Sequence, residues 1–296
     1  MKKTFILLVT LVGVLVVLAV FYFLPAADFL KEKPKIAATI FPLFDIAHNI
    51  VGDKIDVFLI LPSGASPHTF EVTPKTALNL YGVEAILKIG VVDDWVDDIA
   101  SKISPKAQIV EMIRLFDLRH FDDGSVDPHI WLDLEKDEII AKEIADLASK
   151  IDPGNSDFFY KNLENYQKRL READIEIKNN LSGFSNKNIV TFHDAWYYFA
   201  NRYGLNVVAS FEPFAGKEPT PSYLAFFVET IKKYNLKAVF VEPQLSWQSI
   251  VQISKDNGVG VVVVDPIGGS SLEDDFIETM KNNSRLIADV LKLQQQ

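Results

Sequence analysis

The chain has 296 residues, 48% of them hydrophobic, with 30 basic against 40 acidic side chains and no cysteine. A net charge of −10 argues against a nucleic-acid binder, because phosphate contacts need clustered Lys and Arg. The lack of cysteine excludes disulfides, thiolate metal sites, thiol nucleophiles and the acylated cysteine of a conventional bacterial lipoprotein, so any metal site must use His, Asp and Glu.

The N-terminus comes first. Lys2 and Lys3 precede a charge-free apolar run over residues 5–24. About 20 apolar residues span a hydrocarbon core, whereas a signal-peptide apolar region covers roughly 7–15. Residues 1–34 therefore read as an uncleaved membrane anchor or as a signal peptide. Either puts the remainder outside the cytoplasm, by the positive-inside rule.

From Lys35 onward, short β-branched runs alternate with helical patterns. Strands are predicted at 36–40, 56–60, 85–89 and 108–110, then at 188–192, 206–209, 238–241 and 259–264. The run at 261–264 is apolar on both faces, as in a buried parallel strand. The intervening stretches, for example 45–51, 74–81, 136–150, 223–234 and 249–256, are predicted to be helices. The acidic stretch 92–98, VDDWVDD, reads as a helix start whose carboxylates favour the helix dipole. Alternation of this kind gives parallel sheets and an α/β fold.

Between the halves lies 155–182, charged and helix-favouring, with Phe158, Tyr166, Leu170 and Ile177 as a partial apolar stripe. Pro153 and Gly154 punctuate its start and Gly183 its end. Some 28 residues at 1.5 Å each make a rod of roughly 40 Å. The expected organisation is a lobe at 35–152, a long rigid helix at 153–186 and a second lobe at 187–296. No flexible Gly/Ser linker separates them.

Three of the five histidines stand in unusual contexts: His68 in PSGASPHTFEVTP, His129 in DPHIWLD and His193 in TFHDAWYYFA. Asp265, in VVVVDPIGG, is the acidic candidate. All four fall beyond the carboxyl ends of predicted parallel strands, two in each lobe, where open α/β sheets bind ligands. Three imidazoles and one carboxylate suit a borderline cation such as Zn²⁺, and a closed set of four favours capture over hydrolysis. Neutral imidazoles are required, so binding is expected to weaken as pH falls past about 6.5. His48 reads as a structural or solvent-facing helix residue, and His120 with Asp122 and Asp123 as a solvated loop or an auxiliary weak metal site. Glu242, at a strand end, reads as an ordinary polar terminus or as an acceptor for a ligand histidine. Trp131, Trp196, Tyr197 and Tyr198 flank the candidate ligands and are expected to line the cleft walls.

The segments FPLFDIAHNIVGD, PHTFEVTP, DPHIWLD, FHDAWYYFA, FEPFAGKEPTPSYL, VFVEPQLS and VDPIGG, in that order, resemble the zinc/manganese ABC-transporter solute-binding proteins, the ZnuA/TroA/PsaA-like cluster A-I. The resemblance runs from Lys35 to the C-terminus. It implies two (β/α)4-like lobes joined by a long helix, with the ion between them held by His68, His129, His193 and Asp265. It implies no enzymatic activity, a monomer, and delivery of Zn²⁺, alternatively Mn²⁺, to a membrane permease driven by a cytoplasmic ATPase. Manganese-preferring relatives commonly carry Glu at the third ligand position, so His193 leans toward zinc. The long His-rich loop of many zinc-specific members is absent: the corresponding stretch is RHFDDGSVD at 119–127, with His120 alone. Two other readings stand beside transport: a surface adhesion protein on the same fold, and an extracytoplasmic zinc hydrolase. The hydrolase lacks an HExxH motif, a nucleophile elbow and an evident base.

Overall fold

The alternation of short apolar runs with helices resolves, in a computed structural model, into two sheets of four parallel strands each. The structure describes residues 32–121, 123–212, 219–271 and 274–296. The proposed anchor or signal segment lies almost wholly outside these, as do Asp122 and the centre of the FEPFAGKEPTPSYL motif. Among the described residues no helix is long and apolar enough to cross a membrane.

The first sheet contains β1 (Lys35–Ala38), β2 (Asp56–Leu59), β3 (Ala85–Lys88) and β4 (Gln108–Glu111), in the order β2-β1-β3-β4. The second contains β5 (Asn188–His193), β6 (Asn206–Glu212), β7 (Ala238–Val241) and β8 (Gly260–Val263), in the order β6-β5-β7-β8. The spatial order is therefore the same in both halves. Internal strands β3 and β7 are buried at every residue, as parallel strands covered on both faces must be. The run at 261–264 behaves otherwise. Its residues up to Val263 form β8, an edge strand, and Val263 is 43% exposed. A continuous apolar run therefore does not mark an internal strand here.

The helices are α1 (Phe41–Val51), α2 (Pro74–Leu78), α3 (Trp95–Ile103), α4 (Leu134–Ile151), α5 (Ser156–Asn180), α6 (Tyr197–Tyr203), α7 (Pro221–Lys233), α8 (Gln248–Asp256) and α9 (Phe276–Gln294). Helix α1 starts earlier than the pattern suggests because Pro42 fits its first turn, where no N–H partner is needed. The acidic stretch at 92–98 does more than favour a dipole. Asp93 is fully buried and accepts from Thr39 Oγ1, Ile89 N and Gly90 N at 2.5, 2.8 and 2.7 Å. Asp94 and Asp97 pair with the buried Lys88 at 2.7 and 2.6 Å.

Helix α5 spans 25 residues, or about 38 Å. Its buried stripe is Phe159, Leu163, Tyr166, Leu170, Ala173 and Ile177, spaced alternately by four and three, one face of a helix. Phe158, expected in that stripe, is instead 37% exposed. Helix α5 packs against α1, α4 and α9. Polar ties reinforce it: Asn162 donates to Ile50 O at 3.0 Å, Arg169 bridges Asn49 and Asp275, and Glu176 meets Lys281 at 2.9 Å. The main apolar core is continuous from Ile36 through Ile140 and Leu170 to Ile287. Residues Pro34–Gln296 accordingly form one compact unit.

Candidate metal centre

The carboxyl ends of the strands, and the loops that leave them, carry the candidate ligands. His193 is the last residue of β5, and its carbonyl accepts from Thr191 Oγ1 at 2.8 Å. His68 lies on the loop after β2, held where Trp95 Nε1 donates to Pro67 O at 3.2 Å and Phe70 packs edge-on against Trp95. His129 follows β4 and opens the 3-10 turn Ile130–Leu132. Its neighbour Trp131 is buried and donates Nε1 to Pro266 O at 2.7 Å, joining the His129 and Asp265 loops.

Three of the four candidates converge. The donor atoms of His68, His129 and His193 all lie within 4.8 Å of one another. His129 Nε2 is 3.2 Å from His68 Nε2 and 3.3 Å from His193 Nε2. Zn–N bonds of 2.0–2.1 Å at the tetrahedral angle separate neighbouring nitrogens by about 3.3 Å. The two separations about His129 thus match edges of a zinc tetrahedron, and the third pair lies within 4.8 Å. The three histidines border a cavity of about 20 Å³ with Glu242 and Gln244, room for roughly one water-sized particle.

Asp265 is not in that group among the described residues. Its Oδ1 closes a turn of its own loop, accepting from Ile267 N at 3.0 Å, Gly268 N at 2.8 Å and Gln244 Nε2 at 2.7 Å. Its backbone is gripped on both sides by Asn283 of α9.

Asp127, fully buried, escaped the sequence reading although it lies within the DPHIWLD segment. Its Oδ1 stands 2.7 Å from His129 Nδ1 and accepts from His129 N at 3.1 Å. A carboxylate only accepts, so Nδ1 carries the proton and Nε2 presents its lone pair to the cavity. Asp127 Oδ2 accepts from Arg119 Nη1 at 3.0 Å. The same guanidinium forks onto Asp194, next to His193, at 3.2 and 3.1 Å. It is sandwiched between Phe121 and Tyr197.

The electrostatics favour neutral imidazoles. Burial, and then the facing His129 ring, hold His68 well below the usual imidazole range, although the residue as a whole is solvent-exposed. His193 is pushed down by burial first, then by His129 and His68, against a raising contribution from the Glu212 backbone. Among the described residues no hydrogen bond of normal geometry reaches His193 Nδ1. The partner of Glu242 among the described residues is a tryptophan and not a histidine. Its Oε1 accepts from Trp196 Nε1 at 3.0 Å, and burial raises its carboxyl to about 8, with Asp265 and Glu212 adding to the rise. His48 is exposed and stacks on Phe44. His120 spends Nδ1 on Gly124 O at 3.0 Å, while Asp123 accepts from Ser125, so that loop gathers no cluster among the described residues.

The sequence profile described as ZnuA, zinc-uptake complex component A, periplasmic, matches residues 36–290. The chain belongs to the ZnuA family. It is 30% identical over 277 residues to the manganese ABC transporter substrate-binding lipoprotein PsaA of Streptococcus mitis, covering 88% of this chain and 90% of that one. It is 26% identical to the zinc-binding protein AdcA of Streptococcus pyogenes serotype M1, across 98% of this chain but 62% of AdcA. A crystal structure of ZnuA superposes with a TM-score of 0.81 at 27% identity, over 88% of this chain and all of that one. The relatives thus include a substrate-binding lipoprotein of a manganese ABC transporter and a zinc-binding protein, and the two parallel sheets are those of the ZnuA family.

Proposed function

We propose that this chain is the extracytoplasmic metal-binding component of an ABC importer. It captures Zn²⁺ in preference to Mn²⁺ between lobes 35–152 and 187–296, joined by the helix at 153–186. His68, His129 and His193 supply the nitrogen ligands and Asp265 the fourth, oxygen ligand. The observation that carries this reading is the spacing of the three Nε2 atoms, 3.2 and 3.3 Å about His129. One ion is bound reversibly and passed, unchanged, to a membrane permease coupled to a cytoplasmic ATPase, with residues 1–34 exporting or anchoring the protein. Nitrogen-rich ligation favours zinc over the harder manganese ion. The closed ligand set leaves no position for a hydrolytic water.

The test is metal analysis of the purified protein, then chelator-competition titration of the wild type, His193→Ala and Asp265→Ala with Zn²⁺ and Mn²⁺. One tightly held zinc per chain is expected in the wild type, with at least about a hundredfold loss in His193→Ala. Undiminished zinc affinity in His193→Ala would mean that the ion is held elsewhere.

A further inference from the structure

The two oxygens of Asp265 are treated very differently. Oδ1 accepts three hydrogen bonds, from Ile267 N, Gly268 N and Gln244 Nε2, the last being the shortest at 2.7 Å. No hydrogen bond is made to Oδ2 among the described residues. Two of the three donors are backbone N–H groups of Asp265's own turn. The third comes from a side chain 21 positions away, on the turn that follows β7.

Gln244 occupies its place at a cost. Among the described residues its buried Oε1 has no hydrogen-bond partner, and an unpaired buried carbonyl is destabilising. Flipping the amide does not remove the difficulty, because an oxygen facing Asp265 Oδ1 would set two acceptors together. The contact with Asp265 therefore fixes which way the amide points. Gln244 also borders the cavity enclosed by His68, His129 and His193. A side chain at that wall whose one hydrogen-bond partner among the described residues is Asp265 is explained by what it does to Asp265.

We propose that Gln244 is a specificity-determining positioning residue that makes Asp265 a one-oxygen ligand. This rests on Asp265 being the fourth ligand. With Oδ1 engaged by three N–H groups, only Oδ2 is available to an ion. Three imidazole nitrogens and one oxygen then give four-coordination, which zinc accepts readily. A freed carboxylate can turn and offer both oxygens, giving a five-coordinate, oxygen-richer site better suited to manganese. Gln244 thus holds the site toward zinc from outside the coordination sphere.

The experiment compares wild type, Gln244→Ala, Gln244→Glu and Asp265→Ala. It reads Zn²⁺ and Mn²⁺ affinities by chelator competition, and the visible absorption of the Co²⁺-loaded proteins. Gln244→Ala is expected to lower the zinc-to-manganese affinity ratio by about tenfold, the lower end of what loss of a residue supporting a metal ligand costs. The two backbone donors remain, so abolition is not expected. Its Co²⁺ bands should weaken as the tetrahedral centre gains a ligand. Gln244→Glu, nearly isosteric but without the N–H donors, should change the ratio and spectrum at least as much. Melting temperatures of the metal-free variants, expected to stay near wild type, separate positioning from misfolding. Unchanged ratio and unchanged Co²⁺ spectrum in both Gln244 variants, with zinc binding weakened in Asp265→Ala, would overturn the role of Gln244 alone. Undiminished zinc affinity in Asp265→Ala would instead overturn Asp265 as the fourth ligand, and the role of Gln244 with it.

Discussion

Arg119 links the candidate ligands of both halves, and its removal yields a measurable prediction. Its guanidinium joins Asp127, which orients His129, to Asp194, the neighbour of His193. Tyr198 closes the same network, accepting from Arg119 N at 3.0 Å and donating to Asp127 O at 3.2 Å. Burial opposes the guanidinium charge, but Asp194 and Asp127 outweigh it and raise the Arg119 pKa. In Arg119→Ala, Asp127 remains fully buried without its counter-charge. Breaking a fully buried pair costs about 3–5 kcal/mol. Because the Arg119 side chain is 25% exposed and that of Asp194 20% exposed, solvent screening reduces this to about 2–3 kcal/mol. At 1.4 kcal/mol per decade, the metal affinity should fall by roughly 30- to 150-fold if the loss falls on the closed site. If part falls on folding, each kcal/mol lowers the melting temperature by about 2–4 °C. Chelator competition, stopped-flow zinc release and thermal melts of the metal-free protein read both. Arg119→Lys keeps the charge but loses the fork, and should lie between wild type and Arg119→Ala. Wild-type zinc release and melting in Arg119→Ala would refute the link.

Two further perturbations follow from the buried groups. Burial, then the Asp275 charge, raise the Asp45 carboxyl to about 7, and burial raises Glu242 to about 8. Both folded values exceed the unfolded ones, so the native state holds protons that the unfolded chain has lost. Their contribution to stability is full below about pH 4 and declines as pH rises through 7 to 8, by at most on the order of 4 kcal/mol for Asp45. His68 and His193 act in the opposite sense: their folded values are depressed, so stability declines as pH falls below the unfolded value near 6.5. Between about pH 4.5 and 6.5 the two pairs oppose one another, and the melting temperature of the metal-free protein should fall as pH rises from about 6.5 through 8. Asp45→Asn should flatten the alkaline limb, and an equally steep limb in that variant would remove Asp45 as its source. At Gly269, φ is +76° and an added Cβ would stand 2.5 Å from Phe41 Cγ. Gly269→Ala should destabilise by about 2–3 kcal/mol and loosen the loop that carries Asp265. Gly268→Ala, whose Cβ meets Thr279 Oγ1 at 3.3 Å, should cost less, and equal melting curves for the two would contradict the Phe41 clash.

Much of this architecture is written locally. Strand-end placement led to His68, His129 and His193 because a parallel sheet delivers every strand's carboxyl end to one side. The stripe of α5 was misread by one position at Phe158, since Phe158 and Phe159 are adjacent and only the second keeps the four-three spacing with Leu163 and Tyr166. Helix α9 is not among the helices named from the pattern, although Asp275 caps it by accepting from Glu278 N. Its buried stripe is broken by Asn283 and Ser284, and Asn283 is polar because its amide holds the Asp265 backbone. A polar residue with a partner across the fold looks, in one dimension, like an exposed one.

The same limit explains which parts of the site stayed hidden. A ligand histidine is conspicuous because its side chain is rare and chemically distinctive. The groups that aim it are common residues acting over long separations, such as Arg119 on Asp194, 75 positions apart, or Gln244 on Asp265, 21 apart. The second separation follows from a crossover between the adjacent parallel strands β7 and β8, and the first from the pairing of a loop after the first sheet with one at the end of β5 in the second. What distinguishes a capture site from a cluster of histidines is this second set. Asp127 fixes the proton on His129 Nδ1, Arg119 ties the Asp127 and Asp194 loops together, and Gln244 occupies one oxygen of Asp265. On the proposed reading the candidate ligands hold the ion, and the residues behind them are what would set how tightly and which one.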